Sequence, residues 1–254
     1  SNDFYGASKI FLQLIDLLTK NGFDIHVMLP EKGMLDDFLI KKYIKIEYLE
    51  LGVLRKKYLN PSGLINRLVT NIKAIAFLSK YIKDHSIDLV YTNTSTILSG
   101  GIAAKKNSIP SLFHIHEIPT GNKLYEFFSG KIINRYSSKI LTVSNSVKKH
   151  WLKYIHDKKI ERIYNGIIFS KTDSLVELER DQDDFVITSV ARLIPYKGHI
   201  YLIDVANELV KKSTKFKFLI VGDTLSSYMS YEKSVKQKVK DLGLENQIIF
   251  LGFR

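Results

Sequence analysis

Two fixed positive charges five residues apart, Arg192 and Lys197, bracket the start of the segment RLIPYKGHIYLIDVANELVKK. The apolar run before Arg192 reads as a buried strand, and Lys197 and Gly198 begin the amphipathic run that reads as the next helix. In open α/β sheets ligands collect beyond the carboxyl ends of the strands. A helix amino terminus adds unpaired N–H groups and the positive end of a dipole. Arg192, Lys197, Gly198 and that terminus together describe a diphosphate site.

Four further places carry residues suited to chemistry. In FHIHEIPTGN, His114 and His116 fall two apart on an apolar run and so share one face of a strand, with Glu117 at its end. Two histidines at that spacing could bind zinc, but no third ligand is evident and no metal is expected. A polar cluster for substrate hydroxyls or developing charge, or a structural hydrogen-bonding role, fits better. In NTSTILSGG, Asn93, Thr94 and Ser95 have the side chains of helix caps, with ligand contact as the other reading. In DFYGAS, Gly6 permits close approach of the backbone to a ligand, or the stretch is a plain turn with Ser8 as cap. In VSNSVKKHWLKYI, Ser144 or Asn145 caps a helix with Lys148, Lys149 and Lys153 beside Trp151 and Tyr154. Basic residues among aromatics suit a membrane surface or nucleic acid; the ordinary alternative is an amphipathic helix with its apolar side in the core.

The elements that must hold these residues alternate along the whole chain. Strand patterns fall at Asp24–Leu29, Lys45–Leu49, Ile87–Thr92, Ser111–Ile115, Lys139–Val143, Phe185–Ala191, Lys217–Val221 and Gln247–Leu251. Most are short continuous apolar runs, as in parallel strands buried on both faces. Between them lie helical patterns. Over Leu64–Lys83, Ile65, Leu68, Val69, Ile72, Ile75, Ala76 and Ile82 share a face, while Arg67, Lys73, Lys80 and Lys83 mostly take the other. The alternation means an α/β protein with parallel sheets. A polar stretch at 169–184, FSKTDSLVELERDQDD, follows the turn dipeptide Asn165-Gly166 and is expected to link a first domain, residues 1–168, to a second, residues 185–254. The first lacks an opening strand, and the second has about half of a doubly wound sheet, so both ends look truncated.

The 254 residues carry a net charge of +12, unevenly placed. Residues 1–169 hold 25 Lys and Arg against 14 Asp and Glu, a net +11, while residues 170–254 hold 13 against 12. Such a field favours anionic partners such as acidic lipid, nucleic acid or a phosphorylated substrate, or it is simply a solvated basic surface. No run of apolar residues is long enough for a transmembrane helix. The absence of cysteine excludes disulfides and thiolate metal sites and fits a reducing compartment such as the cytoplasm.

Taken in order, SVARLIPYKGHIYLIDVANEL, FKFLIVGD and IIFLGFR resemble the start of the donor domain of family 4 (group 1) glycosyltransferases, retaining enzymes of the GT-B fold. Arg192, Leu193, Lys197, Gly198, Gly222 and Gly252 match the family pattern, and Ala191 stands where glycine is commoner. NDFYGAS, DLVYTNTS, FHIHE, ILTVSNSVKKHW and IYNGI resemble first-domain segments in the same order. The resemblance implies two Rossmann-like domains, the second incomplete, and a nucleoside-diphosphate sugar as substrate with no further cofactor. It implies that Arg192 and Lys197, with Gly198 and Gly6, bind the donor diphosphate. His116 would lie near the transferred sugar, and Glu117, Asn93, Ser95 and Asn165 on the acceptor side. The acceptor would be a glycan or lipid-linked sugar of surface polysaccharide synthesis, met at the inner face of an anionic membrane. The family's pair of glutamates, eight apart, does not occur before Arg254, so this stretch by itself is expected to be inactive.

Two other classes compete. A sugar-nucleotide epimerase or phosphorylase can share the architecture. A basic nucleic-acid-binding module fits the charge, but the chain shows no recognised nucleic-acid motif, and no specific nucleic acid is expected.

Overall fold

The computed structural model describes residues 6–53, 58, 60–119, 123–166 and 183–253. The chain divides into two compact units, Ser1–Phe169 and Ser170–Arg254. The polar stretch expected to join them lies outside the described residues except for Asp183 and Asp184.

In the first unit, α1 (Gly6–Lys20) leads into β1 (His26–Leu29), α2 (Met34–Ile40) and β2 (Lys45–Tyr48). There follow α3 (Pro61–Asp84), β3 (Val90–Thr92), α4 (Ser99–Lys106), β4 (Ser111–Ile115), α5 (Lys123–Tyr136), β5 (Lys139–Thr142), α6 (Asn145–Trp151) and β6 (Ile160–Arg162). β1 and β2 pair in parallel as one sheet, and β3-β4-β5-β6 form a second parallel sheet in that order. The parallel α/β class follows from the sequence pattern as expected. The strands are shorter than the apolar runs, however: the runs at Asp24 and Ile87 enter the sheet only at His26 and Val90. The three-residue β6 was too short to stand out.

Each sheet has its own packing. Leu12, Ile15, Val27, Leu29, Leu35 and Leu39 close on β1 and β2. Phe113, Ile115, Ile133, Ile140 and Trp151 centre the core of the four-stranded sheet. A third cluster, with Met28, Leu51, Leu78, Ile82, Val90 and Ala103, joins the two regions through α3 and α4.

α3 starts by a cap the sequence spells out: Asn60 Oδ1 accepts from the Gly63 amide at 2.8 Å, and Pro61 sits in the first turn. Its orientation reverses the expectation. The face turned to the core carries Thr70, Ala74, Leu78, Tyr81 and Ile82, and the apolar residues Ile65, Leu68, Val69 and Ile72 are exposed.

The second unit comprises β7 (Phe185–Val190), α7 (His199–Val210), β8 (Phe216–Val221), α8 (Met229–Asp241) and β9 (Ile248–Gly252). Its strands pair in parallel in the order β7-β8-β9. Leu193, Ile203, Ala206, Phe218, Ile220, Val235, Val239 and Ile248 make its core.

Candidate functional site

At the carboxyl ends of β3 and β4 the chain gathers the polar residues of the first unit. Period-two alternation puts Tyr91 and Asn93 on one side of β3's line, and His114 and His116 on one side of β4's. The two imidazoles lie with ring centroids 4.2 Å apart. His116 Nε2 donates to Asn93 Oδ1 at 2.8 Å, which fixes the proton on Nε2 and leaves Nδ1 as an acceptor. Tyr91 joins the group through its hydroxyl, bonded to His114 Nδ1 and 3.4 Å from Asn93 Oδ1.

Asn93, Thr94 and Ser95 do not cap the helix that follows. α4 begins six residues beyond Asn93, with Leu98 at its cap position. Thr94 Oγ1 at 2.8 Å, the Ser95 amide at 2.8 Å and Ser95 Oγ at 2.7 Å instead all donate to Glu117 Oε1. The His116 amide donates to Glu117 Oε2 at 3.1 Å. A carboxylate held by four donors is a strong acceptor in a fixed place, so Glu117 clamps the loop after β3 to the end of β4. Its own carbonyl accepts from Trp151 Nε1 at 3.2 Å. Tyr125 of α5 reaches the Ser95 carbonyl at 3.5 Å, and burial pushes its phenol up to about 12.

Burial also sets the charge of the histidines. It takes His114 down to about 4, with His116 adding to the shift and Glu117 opposing it. His116 is likewise lowered by burial, partly offset by Glu117. Both imidazoles are therefore neutral at pH 7. Because the folded His114 resists protonation while the unfolded one, near 6.5, accepts it, the unfolded state binds more protons between those values. Stability of the first unit should thus be full above pH 6.5 and fall as the pH drops toward 4, by up to about 3 kcal/mol. Thermal melts across that range test this: in His114→Asn the part of the acid slope due to this residue should vanish. A wild-type melting temperature flat from pH 7 to 4.5 would contradict it.

In the second unit the turn after β7 is built from the core outwards. Leu193 and Ile194 are fully buried, and their backbone ties them to the turn after β8: the Leu193 amide donates to Asp223 O at 2.8 Å, and Thr224 Oγ1 donates to Leu193 O at 2.9 Å. Arg192 is left half-buried and Lys197 exposed. Contrary to expectation, Lys197 does not begin the helix; it closes a separate 3-10 turn, Pro195–Lys197. Gly198 follows in the left-handed region at φ 77° and occupies the cap position of α7 with no side-chain cap on the helix amides. That conformation favours glycine, and it leaves the amino end of α7 without a competing side chain. His199, first in the helix, is buried, and burial lowers its pKa against an opposing effect of the Ala191 backbone. Neither of its ring nitrogens meets hydrogen-bond geometry with a partner among the described residues.

The remaining expected residues scatter. Gly6 is the first described residue of α1, and a Cβ there would meet no atom within 4 Å. The rest of its loop lies outside the described residues, and Ser8 sits inside the helix rather than at its cap. Asn165 is exposed in the segment after β6. On α6, Ser144 is the cap, accepting from the Val147 amide at 3.2 Å. Trp151 is 0% exposed and belongs to the core, so it is not free for a membrane or a base. Lys153 lies past the helix end, and Lys148 is 3.8 Å from Asp157. Among the described residues no group of three or more His, Cys, Asp or Glu is placed to hold a metal. Nor is any helix among them long and apolar enough to cross a membrane. Tyr91, Tyr125 and His199 were missed; the period-two relation of Tyr91 to Asn93 was the available signal for the first.

Comparison with known proteins agrees with the two-unit division. The model of Glycosyltransferase Family 4 matches residues 4–171, and that of Glycosyl transferases group 1 matches residues 170–254. The chain is 26% identical to an Escherichia coli UDP-Gal:alpha-D-GlcNAc-diphosphoundecaprenol alpha-1,3-galactosyltransferase, over 98% of this chain and 66% of that protein. The chain thus spans about two thirds of that relative's length. A crystal structure of Anabaena Alr3699/HepE in complex with UDP is similar at TM-score 0.76 and 25% identity, over 100% of this chain and 67% of that one. A glycosyltransferase structure from Rickettsia africae is similar in fold at TM-score 0.73 and 19% identity, over 97% and 64%. The fold class is accordingly that of the GT-B glycosyltransferases.

Proposed function

Because the chain belongs to Glycosyltransferase Family 4, we propose that its protein transfers a hexose from a uridine-diphosphate sugar to a sugar carried on a polyprenyl diphosphate, with retention of anomeric configuration. The observation that carries this reading is the turn after β7. There Arg192, Lys197 and the side-chain-free amino end of α7 lie on one short, well-anchored stretch. A leaving nucleoside diphosphate gains negative charge as the glycosidic bond breaks, and fixed cations with a helix dipole stabilise it. These groups suit a metal-free diphosphate site. The UDP donor and the lipid diphosphate acceptor are read from the relatives' own ligands and activity.

His116 would meet the transferred sugar. Neutral, with Nε2 spent on Asn93, it offers a hydroxyl group an acceptor at Nδ1 rather than a charge. Glu117 and Ser95 hold the loop on which Asn93 sits, on the acceptor side with Asn165. A basic first unit, net +11 over residues 1–169, suits an acceptor embedded in an anionic membrane.

The test, made on the whole protein, is transfer from radiolabelled UDP-hexoses to a synthetic polyprenyl-diphosphate N-acetylglucosamine, with the product anomer read by NMR. His116→Ala should cut transfer far more than it weakens UDP binding. Absence of UDP binding by the wild-type protein, or a product of inverted configuration, would count against the reading. Equal losses of transfer and UDP binding in His116→Ala would make that residue structural.

A further inference from the structure

A buried imidazole stands at the turn after β7, and packing alone does not explain it. His199 is 1% exposed and opens α7, a helix of 12 residues whose amino end has no side-chain cap. Neither ring nitrogen meets hydrogen-bond geometry with a partner among the described residues. A buried polar group left in that state is destabilising, and it calls for a reason outside the core. Its polar neighbour is the Ala191 backbone, which opposes the lowering of the ring's pKa by burial. Only an acceptor favours the protonated ring, so that neighbour is the Ala191 carbonyl oxygen.

This oxygen belongs to the planar peptide unit whose other end is the Arg192 N–H. Gly222 lies against the same unit: a Cβ there would stand 2.1 Å from the Ala191 oxygen and 3.3 Å from the Arg192 nitrogen. Beyond Arg192, Leu193 is bonded on both sides to the turn after β8. The peptide that aims Arg192 is thus bounded by Gly222 through shape and by His199 through a hydrogen bond still out of line. Hydrogen bonds of a catalytic site commonly tighten when the reacting complex forms.

We propose that His199 is a positioning residue: its ring N–H completes a bond to the Ala191 carbonyl as the diphosphate of the UDP-sugar binds, fixing the peptide from which Arg192 reaches the leaving group. His199 touches no substrate and acts through Arg192. The ring is neutral at pH 7, so it holds the peptide without competing with Arg192 for the anion. The inference rests on the reading of this turn as the diphosphate site.

The experiment uses the whole protein, with steady-state kinetics in the UDP-sugar beside thermal melts. His199→Leu should lower kcat by roughly tenfold to a hundredfold, the scale for a misplaced group. It should melt no lower than wild type, because an apolar side chain removes two orphaned buried polar atoms. Arg192→Ala with His199→Leu should be no slower than Arg192→Ala alone, since a residue that works only through Arg192 then has nothing to act on. His199→Asn or His199→Gln, whose amide N–H groups come near the places of Nδ1 and Nε2, should restore part of the loss. A lowered melting temperature with kcat retained would make His199 a packing residue and overturn the proposal. So would losses that add in the double variant, or a loss that neither amide restores. Wild-type kcat in His199→Leu defeats this inference alone, whereas a wild-type protein that neither binds UDP nor transfers sugar defeats the transferase reading and the inference with it.

Discussion

In the whole protein, Arg192→Ala and Lys197→Ala should each lower sugar transfer by about 10²–10³, the size of losing one group that stabilises developing charge. The two substitutions should act mainly on turnover, because charge on the diphosphate is greatest as the bond to the sugar breaks. Neither should unfold the protein: Lys197 is exposed, and Leu193 and Ile194, not Arg192, root the turn in the core. Steady-state kinetics with saturating acceptor and varied UDP-sugar provide the measurement. Wild-type turnover in both variants would remove the turn after β7 from the reaction.

Gly222→Ala should destabilise the second unit by about 3 kcal/mol or more, as overpacking adds to backbone strain. A Cβ at this position would stand 2.1 Å from the Ala191 carbonyl oxygen, and φ is 140°, where side chains are strained in any case. Neither neighbour can give way cheaply. The Ala191 amide is bonded to Val221 O at 2.9 Å, and the Gly222 amide to Gly252 O at 2.8 Å, so both belong to the sheet's closing rungs. Denaturant unfolding of the variant reads the loss directly. Because the same carbonyl precedes Arg192, residual folded protein should also bind UDP more weakly. An unchanged unfolding midpoint would mean the two turns are looser than their hydrogen bonds imply.

Strand and helix order was legible because apolar runs and the 3.6-residue period report burial, and burial is what a parallel sheet demands. The pairing of His114 with His116 was legible for the same kind of reason, since a strand alternates strictly. What failed were inferences from a local rule to a distant partner. Asn93, Thr94 and Ser95 have the chemistry of caps, but the helix begins only at Ser99, and the hydroxyls of Thr94 and Ser95 donate instead to a carboxylate more than 20 residues later. The apolar stripe of α3 was legible as a stripe; its period says that one face is greasy and nothing about which body covers it. At α6 the ordinary alternative holds, an amphipathic helix with its apolar side in the core: Trp151 packs there beside Phe113 and Ile115 rather than on display among the lysines. Gly222 could be matched to a pattern, whereas its necessity appears only when the Ala191 carbonyl is seen beside it.

The clamp on Glu117 has a thermodynamic side. Loops at strand ends ordinarily sample several conformations, and a ligand that needs one of them loses affinity to the entropy of ordering the rest. Here the loop after β3 is held at the Thr94 hydroxyl and at both the amide and hydroxyl of Ser95, all converging on one carboxylate oxygen. Asn93, and through it the imidazole of His116, is therefore set in place when the first unit folds. A ligand that bound there would meet a floor already in place, its ordering cost met when the unit folded.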